Sequence, residues 1–396
     1  MKAPAFTKNY TAAFWRMCFS SLLFFASFNM VIPELPQYFM DIGGKAEHKG
    51  YIIALFTLVA MASRPFSGRL SDTIGRVPVM MFGVVVCVIL GFIYPLVSVV
   101  WGFFILRFFH GMSTGFTPTG NAAYVADIVS LNKRGAAMGY LGFFNSLGMA
   151  IGPALGSQLM IWLNGSYTWL FWLSSLVALL SVLVIYGLPE TLTNKQKMKF
   201  SLLKITWKDV YEPRVIQPFI TLLLTAFSFG VVLTVIPDLA THIGMENKGT
   251  FFTMFTISSL FSRLSAGTVS DRVGRVPVLY VSTILLVVAL VMIGFAETRF
   301  LFLAGAAVYG FALGINSPTI YAWAIDLSSE EHKGRGMGTV YIGLEISIGS
   351  GALLAGYLFA DNFDRIGEPF FVSAALSLVA FFYLLVFGKR SPKFAK

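Results

Sequence analysis

Twelve apolar stretches of membrane length dominate this sequence, at about 14–40, 50–70, 78–98, 100–127, 135–163, 167–188, 216–240, 249–269, 277–297, 299–326, 334–361 and 368–388. A helix crossing the hydrocarbon core needs about 20 mostly apolar residues. The prediction is therefore an all-α membrane protein with twelve transmembrane helices. Only 12% of the residues are charged and 56% are hydrophobic, against about 25% charged in a soluble protein, which excludes a water-soluble globular chain. Twelve spans use roughly 240 residues, so no large extramembrane domain fits in the remainder.

The longest break holds Lys195, Lys197, Lys199, Lys204, Lys208 and Arg214 and divides the spans six and six. It predicts an N-terminal six-helix bundle over 1–188, a cytoplasmic linker over 189–215, and a C-terminal six-helix bundle with a short basic tail over 216–396. Short loops rich in Lys and Arg stay cytoplasmic. With both termini inside, 21 of the 29 Lys and Arg fall on the cytoplasmic side. Lys45, Lys49, Lys248, Arg299 and Arg365 fall outside, while Arg64, Arg107 and Arg263 lie within spans.

A net charge of +10 in a soluble chain would suggest phosphate neutralisation on nucleic acid. Here the basic residues are dispersed through short loops, so they report topology, and no nucleic-acid partner is expected. The run at 14–40 is too long for a signal peptide and lacks a small-residue cleavage site, which makes it a retained first helix. Cys18 and Cys87 sit in apolar runs without disulfide, metal or redox spacing. His48, His110, His242 and His332 are spread over both sides without ligand spacing. No nucleophile, metal or nucleotide-binding constellation is present, so neither an enzyme nor a cofactor is expected.

The two halves repeat at an offset of 199 residues. Ser63-Arg64 recurs as Ser262-Arg263, Gly68 as Gly267, Ser71-Asp72 as Ser270-Asp271, Gly75-Arg76-Val77-Pro78-Val79 as Gly274-Arg275-Val276-Pro277-Val278, and Asp127 as Asp326. Six spans per half leave both halves facing the same way, related by a pseudo-two-fold axis along the membrane normal. That is the plan of two bundles rocking about a central site.

The segment from Gly68 through Asp72, Gly75 and Arg76, with its copy Gly267, Asp271, Gly274 and Arg275, resembles the loop signature of the major facilitator superfamily. With twelve spans, the resemblance covers essentially the whole chain. It implies a cytoplasmic gate to which Asp127 and Asp326 also belong, with Asp72 closing against the start of the eleventh helix near Gly334 to Gly336. An acid beside a helix start gains roughly 0.3–1 kcal/mol from exposed N–H groups.

In the fifth span Gly139, Gly148, Gly152-Pro153 and Gly156 resemble the motif of the drug:proton antiporter branch, with Ser157 where a final glycine is expected. Small residues at this spacing let helix backbones approach, and proline bends a helix. The aligned second-half residues are Ser347, Gly351, Ala352 and Ala355, so the proline is unique to the first half. Arg107-Phe-Phe-His110-Gly111 resembles the same branch's R-x-x-Q-G motif with His for Gln. Its counterpart Ala306 shows that the fold requires no cation there.

At about 1.5 Å of rise per residue, Glu34 and Arg107 lie at the same outer depth, which allows an ion pair. Glu345 lies near the midplane, where an unpaired acid is most costly, and its counterpart is Ser146. Glu34, Arg107 and Glu345 are the expected proton-coupling residues. Arg64 and Arg263, one turn inside the cytoplasmic face, are placed to snorkel. Expected substrate contacts are Asn29, Glu34, Phe143, Phe144, Asn145 and Glu345. Many relatives carry an acid where this chain has Asn29, and here the acid is Glu34 within Pro33-Glu-Leu-Pro36. The resemblance implies a monomeric, proton-driven exporter of small amphipathic or drug-like molecules in a bacterial-type inner membrane, its partners being substrate, protons and bilayer. Export of an endogenous metabolite such as a sugar or small metal chelator stays open.

Overall fold

The computed structural model describes residues 10–130, 134–193, 195–198, 211–328 and 333–388, excepting the side chains of 134–136, 264, 265, 267, 268 and 333–335. Lys199, Lys204 and Lys208 of the predicted linker, Lys133, the basic tail and the surroundings of Gly267, Gly334 and Arg335 lie outside the described residues.

Twelve membrane-length units follow one another. The first is broken into α1a (Ala12–Met30), a 3-10 turn (Ile32–Glu34) and α1b (Leu35–Asp41). Pro33 and Pro36 stand at the first turns of the two pieces after the break, where a missing N–H is tolerated and continuation of the previous helix is not. Then come α2 (Lys49–Thr73), α3 (Arg76–Ile93), α4 (Val100–Ile128), α5 (Arg134–Trp162) and α6 (Tyr167–Ile185). The second half has α7a (Ile216–Thr225) and α7b (Phe227–His242), α8 (Thr250–Val273), α9 (Arg275–Gly294), α10 (Arg299–Leu327), α11 (Lys333–Phe359) and α12 (Glu368–Phe387).

Among the described residues nine units are apolar enough to cross a membrane by length and composition. The other three, α4, α5 and α8, are 29, 29 and 24 residues long and dilute their apolar residues with Gly, Ser and Thr. Those small and polar positions face neighbouring helices: Gly111 and Gly115 of α4 abut the α2 backbone, and Gly148 and Gly152 of α5 abut that of α1a.

The sequence repeat is also a repeat of packing. Helix α4 and helix α10 begin and end exactly 199 residues apart. Helix α1a packs on α5 and α6 as the α7 pieces pack on α11 and α12, and α2 and α3 pack on α4 as α8 and α9 pack on α10. The two most extensive interfaces between the halves, α2 with α11 and α5 with α8, are exchanged by the pseudo-symmetry. Gly75 and Gly274, at the starts of α3 and α9, have φ of +131° and +104°, which only glycine adopts without strain.

The two ends of the molecule differ. At the end where α2 and α8 begin, the halves are in backbone contact: Gly50 lies against Ala352 and Leu353, Gly356 against Gly50, and Gly249 against Pro153 and Ala154. At the end carrying the two repeated loops, Gly68 and Gly139 of the first half and Gly338 of the second border open space, with no atom within 4 Å of an added methyl. Among the described residues the bundles touch at the first end, and at the second these three glycines border open space between them.

Candidate functional site

The closed end is held by charges that cross between halves. The Lys49 ammonium, buried at the start of α2, donates to Asp238 of α7b at 3.1 Å and to Asp361 after α11 at 2.5 Å. Its counterpart 199 residues on, Lys248, donates to Glu34 of the first half at 3.4 Å. Each lysine thus reaches an acid on the broken first helix of the opposite half. Glu34 also accepts from Ser157 of α5 at 2.8 Å, which puts it in a three-helix junction of α1, α5 and the start of α8.

This placement corrects the expected Glu34–Arg107 pair. Arg107 is fully buried within the first half: its Nε donates to the Ile52 carbonyl at 2.8 Å and its guanidinium lies 4.7 Å from the Phe56 ring centre. Its two terminal nitrogens have no hydrogen-bond partner among the described residues. Equal depth does not make two helices present their side chains to each other, because each residue also turns about 100° around the helix axis. Next to Arg107, His110 is bracketed by the Tyr94 hydroxyl at 3.2 Å and Cys87 Sγ at 3.4 Å, as a satisfied buried imidazole.

Near the middle of the membrane a second bridge crosses the halves. Arg64 of α2 donates through Nη2 and Nε to the same oxygen of Glu345 on α11, at 2.6 and 3.2 Å, and its guanidinium covers the Tyr341 ring at 4.8 Å. Arg64 therefore does not snorkel. It turns inward because a buried carboxylate is available, and removing either partner would leave an uncompensated charge. Tyr341 packs against Tyr321 in a tilted arrangement with ring centres 5.3 Å apart.

Beyond Tyr321 lies a cavity of about 160 Å³, lined by residues of α5, α7, α8, α10 and α11 that include Ser146, Phe229, Phe255, Arg263, Ser317 and Tyr321. Arg263 also faces inward. Its Nε donates to Ser259 Oγ at 3.3 Å, and no acid of the described residues forms an ion pair with it. Sequence reasoning missed both arginines as site residues. Their signal was the recurrence, at the 199-residue offset, of a cation inside a span.

The expected substrate contacts are scattered. Asn29 donates back to the Phe25 carbonyl of its own helix at 2.7 Å. Phe143 is exposed and Phe144 packs near Trp15. The Asn145 carbonyl oxygen is buried without a partner among the described residues. Only the next residues on that helix face, Ser146 and Met149, line the cavity. Gly148, Gly152 and Gly156 abut the backbone of α1a at Leu22, Ala26 and Met30, so these glycines set the α1–α5 approach. Around Pro153, which cannot donate to the Met149 carbonyl, α5 carbonyls accept from α8 and the loop before it: Ala150 from Thr253 at 3.3 Å and Ala154 from Asn247 at 3.2 Å.

At the open end the two loops form matching networks. Arg76 bridges Asp72 and Asp127, and Arg275 bridges Asp271 and Asp326. Asp72 is exposed and pairs with Arg76 of its own half, and the side chains at the start of α11 lie outside the described residues. The acid at a helix start is instead Glu190, which accepts from the Arg76 and Val77 N–H groups at 2.9 and 3.0 Å and caps α3. The second half has Lys389 at the aligned position.

Comparison with known proteins places these features. The Major Facilitator Superfamily profile matches residues 17–250 and 218–396. Multidrug resistance protein 2 of Bacillus subtilis (strain 168) is 27% identical over 300 residues, 71% of this chain and 74% of that one. Quinolone resistance protein NorA of Staphylococcus aureus (strain MSSA476) is 27% identical over 215 residues, about half of each chain, 53% and 55%. Among solved structures, a D-xylose-proton symporter superposes with a TM-score of 0.79 at 14% identity, covering 96% of this chain and 98% of that one, a likeness of fold alone.

Proposed function

For this chain, which belongs to the Major Facilitator Superfamily, we propose proton-driven export of small amphipathic compounds by alternating access, with the repeat-loop end facing the cytoplasm. It is an integral membrane transporter, and its similarity to multidrug resistance proteins supports efflux. The 21-to-5 division of basic residues between the two ends supports the orientation.

The observation that carries the mechanism is the pair of carboxylates, Glu34 and Glu345, each holding a cation of the opposite half at 3.4 and 2.6 Å. Both bridges belong to the conformation closed at the Lys49 end. In the empty carrier they hold the inward-open arrangement and prevent unproductive cycling. A proton on either acid cancels the attraction, and a substrate seated beside Glu345 disturbs its bridge to Arg64. Either event lets the bundles rock. The membrane potential adds ~2.3 kcal/mol per charge moved per 100 mV. When the repeat-loop end closes, Asp72 meets the start of α11.

Transport of a fluorescent amphipathic dye in proteoliposomes, driven by an imposed proton gradient, tests the coupling. Wild type is expected to move the dye when the gradient is applied, Glu345→Gln to bind the dye without responding to the gradient, and Glu34→Gln to respond less. Equal responses of wild type and both variants would remove these acids from the mechanism. Cysteines introduced at Lys197 should react with an impermeant reagent only after the cells are opened.

A further inference from the structure

The pseudo-symmetry exposes an imbalance of charge at the cavity. Arg64 of α2 pairs with Glu345 of α11. Exchange of the halves maps Arg64 onto Arg263 of α8, and Glu345 onto residue 146 of α5, which is Ser146. Helices α5 and α8 pack together as α2 and α11 do, and Arg263 and Ser146 line the same cavity. The second bridge thus has its cation but no acid. With Glu345 ionised, the two arginines leave one excess positive charge, on the solvent-exposed Arg263, in a cleft whose low-dielectric walls focus its field.

We infer that the substrate supplies the missing acid: the cavity takes a carboxylate attached to a flat aromatic body, its anion on Arg263 where a Glu at position 146 would stand. A guanidinium presents paired donors in the plane that a carboxylate fits. Phe229, Phe255 and Tyr321 form aromatic walls, Ser259 lies beside the arginine, and Ser317 lines the same cavity. A volume of about 160 Å³ lies below the ~300–1,000 Å³ of sites for drug-sized ligands, which restricts the enclosed part of the occupant to one or two rings. This rests on the exporter reading above and specifies the substrate class.

The test uses three probes of one shape and different charge, 2-naphthoate, 2-naphthamide and 2-naphthylmethylammonium, titrated calorimetrically into the purified full chain. Wild type is expected to bind the carboxylate at least tenfold tighter than the amide. Ser146→Glu, which installs the absent acid, should raise the melting temperature and abolish carboxylate binding. Arg263→Gln should weaken the carboxylate at least tenfold and the amide less than twofold, with Arg263→Lys in between. Equal affinities for carboxylate and amide in wild type, tightest binding of the ammonium, or undiminished carboxylate binding by Ser146→Glu would each overturn the inference. The wild-type comparison decides even where Arg263→Gln fails to fold. Uptake into proteoliposomes separates the two readings. Carboxylate preference without gradient-driven transport removes the exporter and keeps the site, whereas gradient-driven transport of the ammonium without carboxylate preference does the reverse.

Discussion

The two halves of this transporter share a frame and differ in their acids. The frame is exactly repeated: Lys49 and Lys248 at the closed end, Arg64 and Arg263 at mid-membrane, and the Arg76 and Arg275 clusters at the open end. Its partners are not. Lys49 meets two carboxylates and Lys248 one; Arg64 meets Glu345 and Arg263 meets the Ser259 hydroxyl; Glu190 caps α3, with no aligned acid for α9. Symmetric cations can close a symmetric bundle, but a vectorial carrier needs sites that respond differently to proton and substrate. In the proposed mechanism the unmatched acids supply that difference.

The strongest way to break this comparison is at the midplane. Glu345→Gln removes the proposed proton site together with the partner of a half-buried Arg64, and removing one partner of such a pair is strongly disruptive, so proton-driven transport in proteoliposomes should fall by two orders of magnitude or more. Ser146→Ala at the symmetric position should change it less than twofold. Comparable losses would show that the asymmetry of the acids is incidental.

A smaller effect is expected where α5 and α11 meet the first helix of their own half. A methyl at Gly156 would collide with the Met30 carbonyl, whereas its counterpart Ala355 already accommodates one. Gly156→Ala should lower stability by about 1–3 kcal/mol through overpacking, read as a drop in melting temperature. Ala355→Gly should cost about 1 kcal/mol from helix propensity alone.

The smallest and most discriminating difference lies in the loops. Asp326 is 8% exposed and Asp127 30%, so Asp326→Asn should cost more stability than Asp127→Asn, which belongs with surface pairs worth about 0–1 kcal/mol. Transport should show the opposite order for the neighbouring pair. Asp72→Asn is expected to impair it several-fold and to increase cytoplasmic cysteine accessibility, and Asp271→Asn to do so less. The same order in both measurements would mean that the first loop has no special gating role.

What the sequence alone determined here is periodic or local. Span count, the offset of 199, the two loop signatures and the glycine spacing of α5 are set by apolar run length and by neighbours a few residues apart, which any correct fold must honour. The identity of partners was decided only by tertiary structure. Rise per residue placed Glu34 level with Arg107, yet Glu34 turns to Lys248 and Ser157 while Arg107 turns to Ile52 and Phe56. Likewise Arg64 finds Glu345 281 positions away. Depth follows from counting along one helix. The direction a side chain faces, and the helix waiting there, depend on how whole bundles rotate and close, because the free energy of a buried charge resides in contacts that no single helix contains.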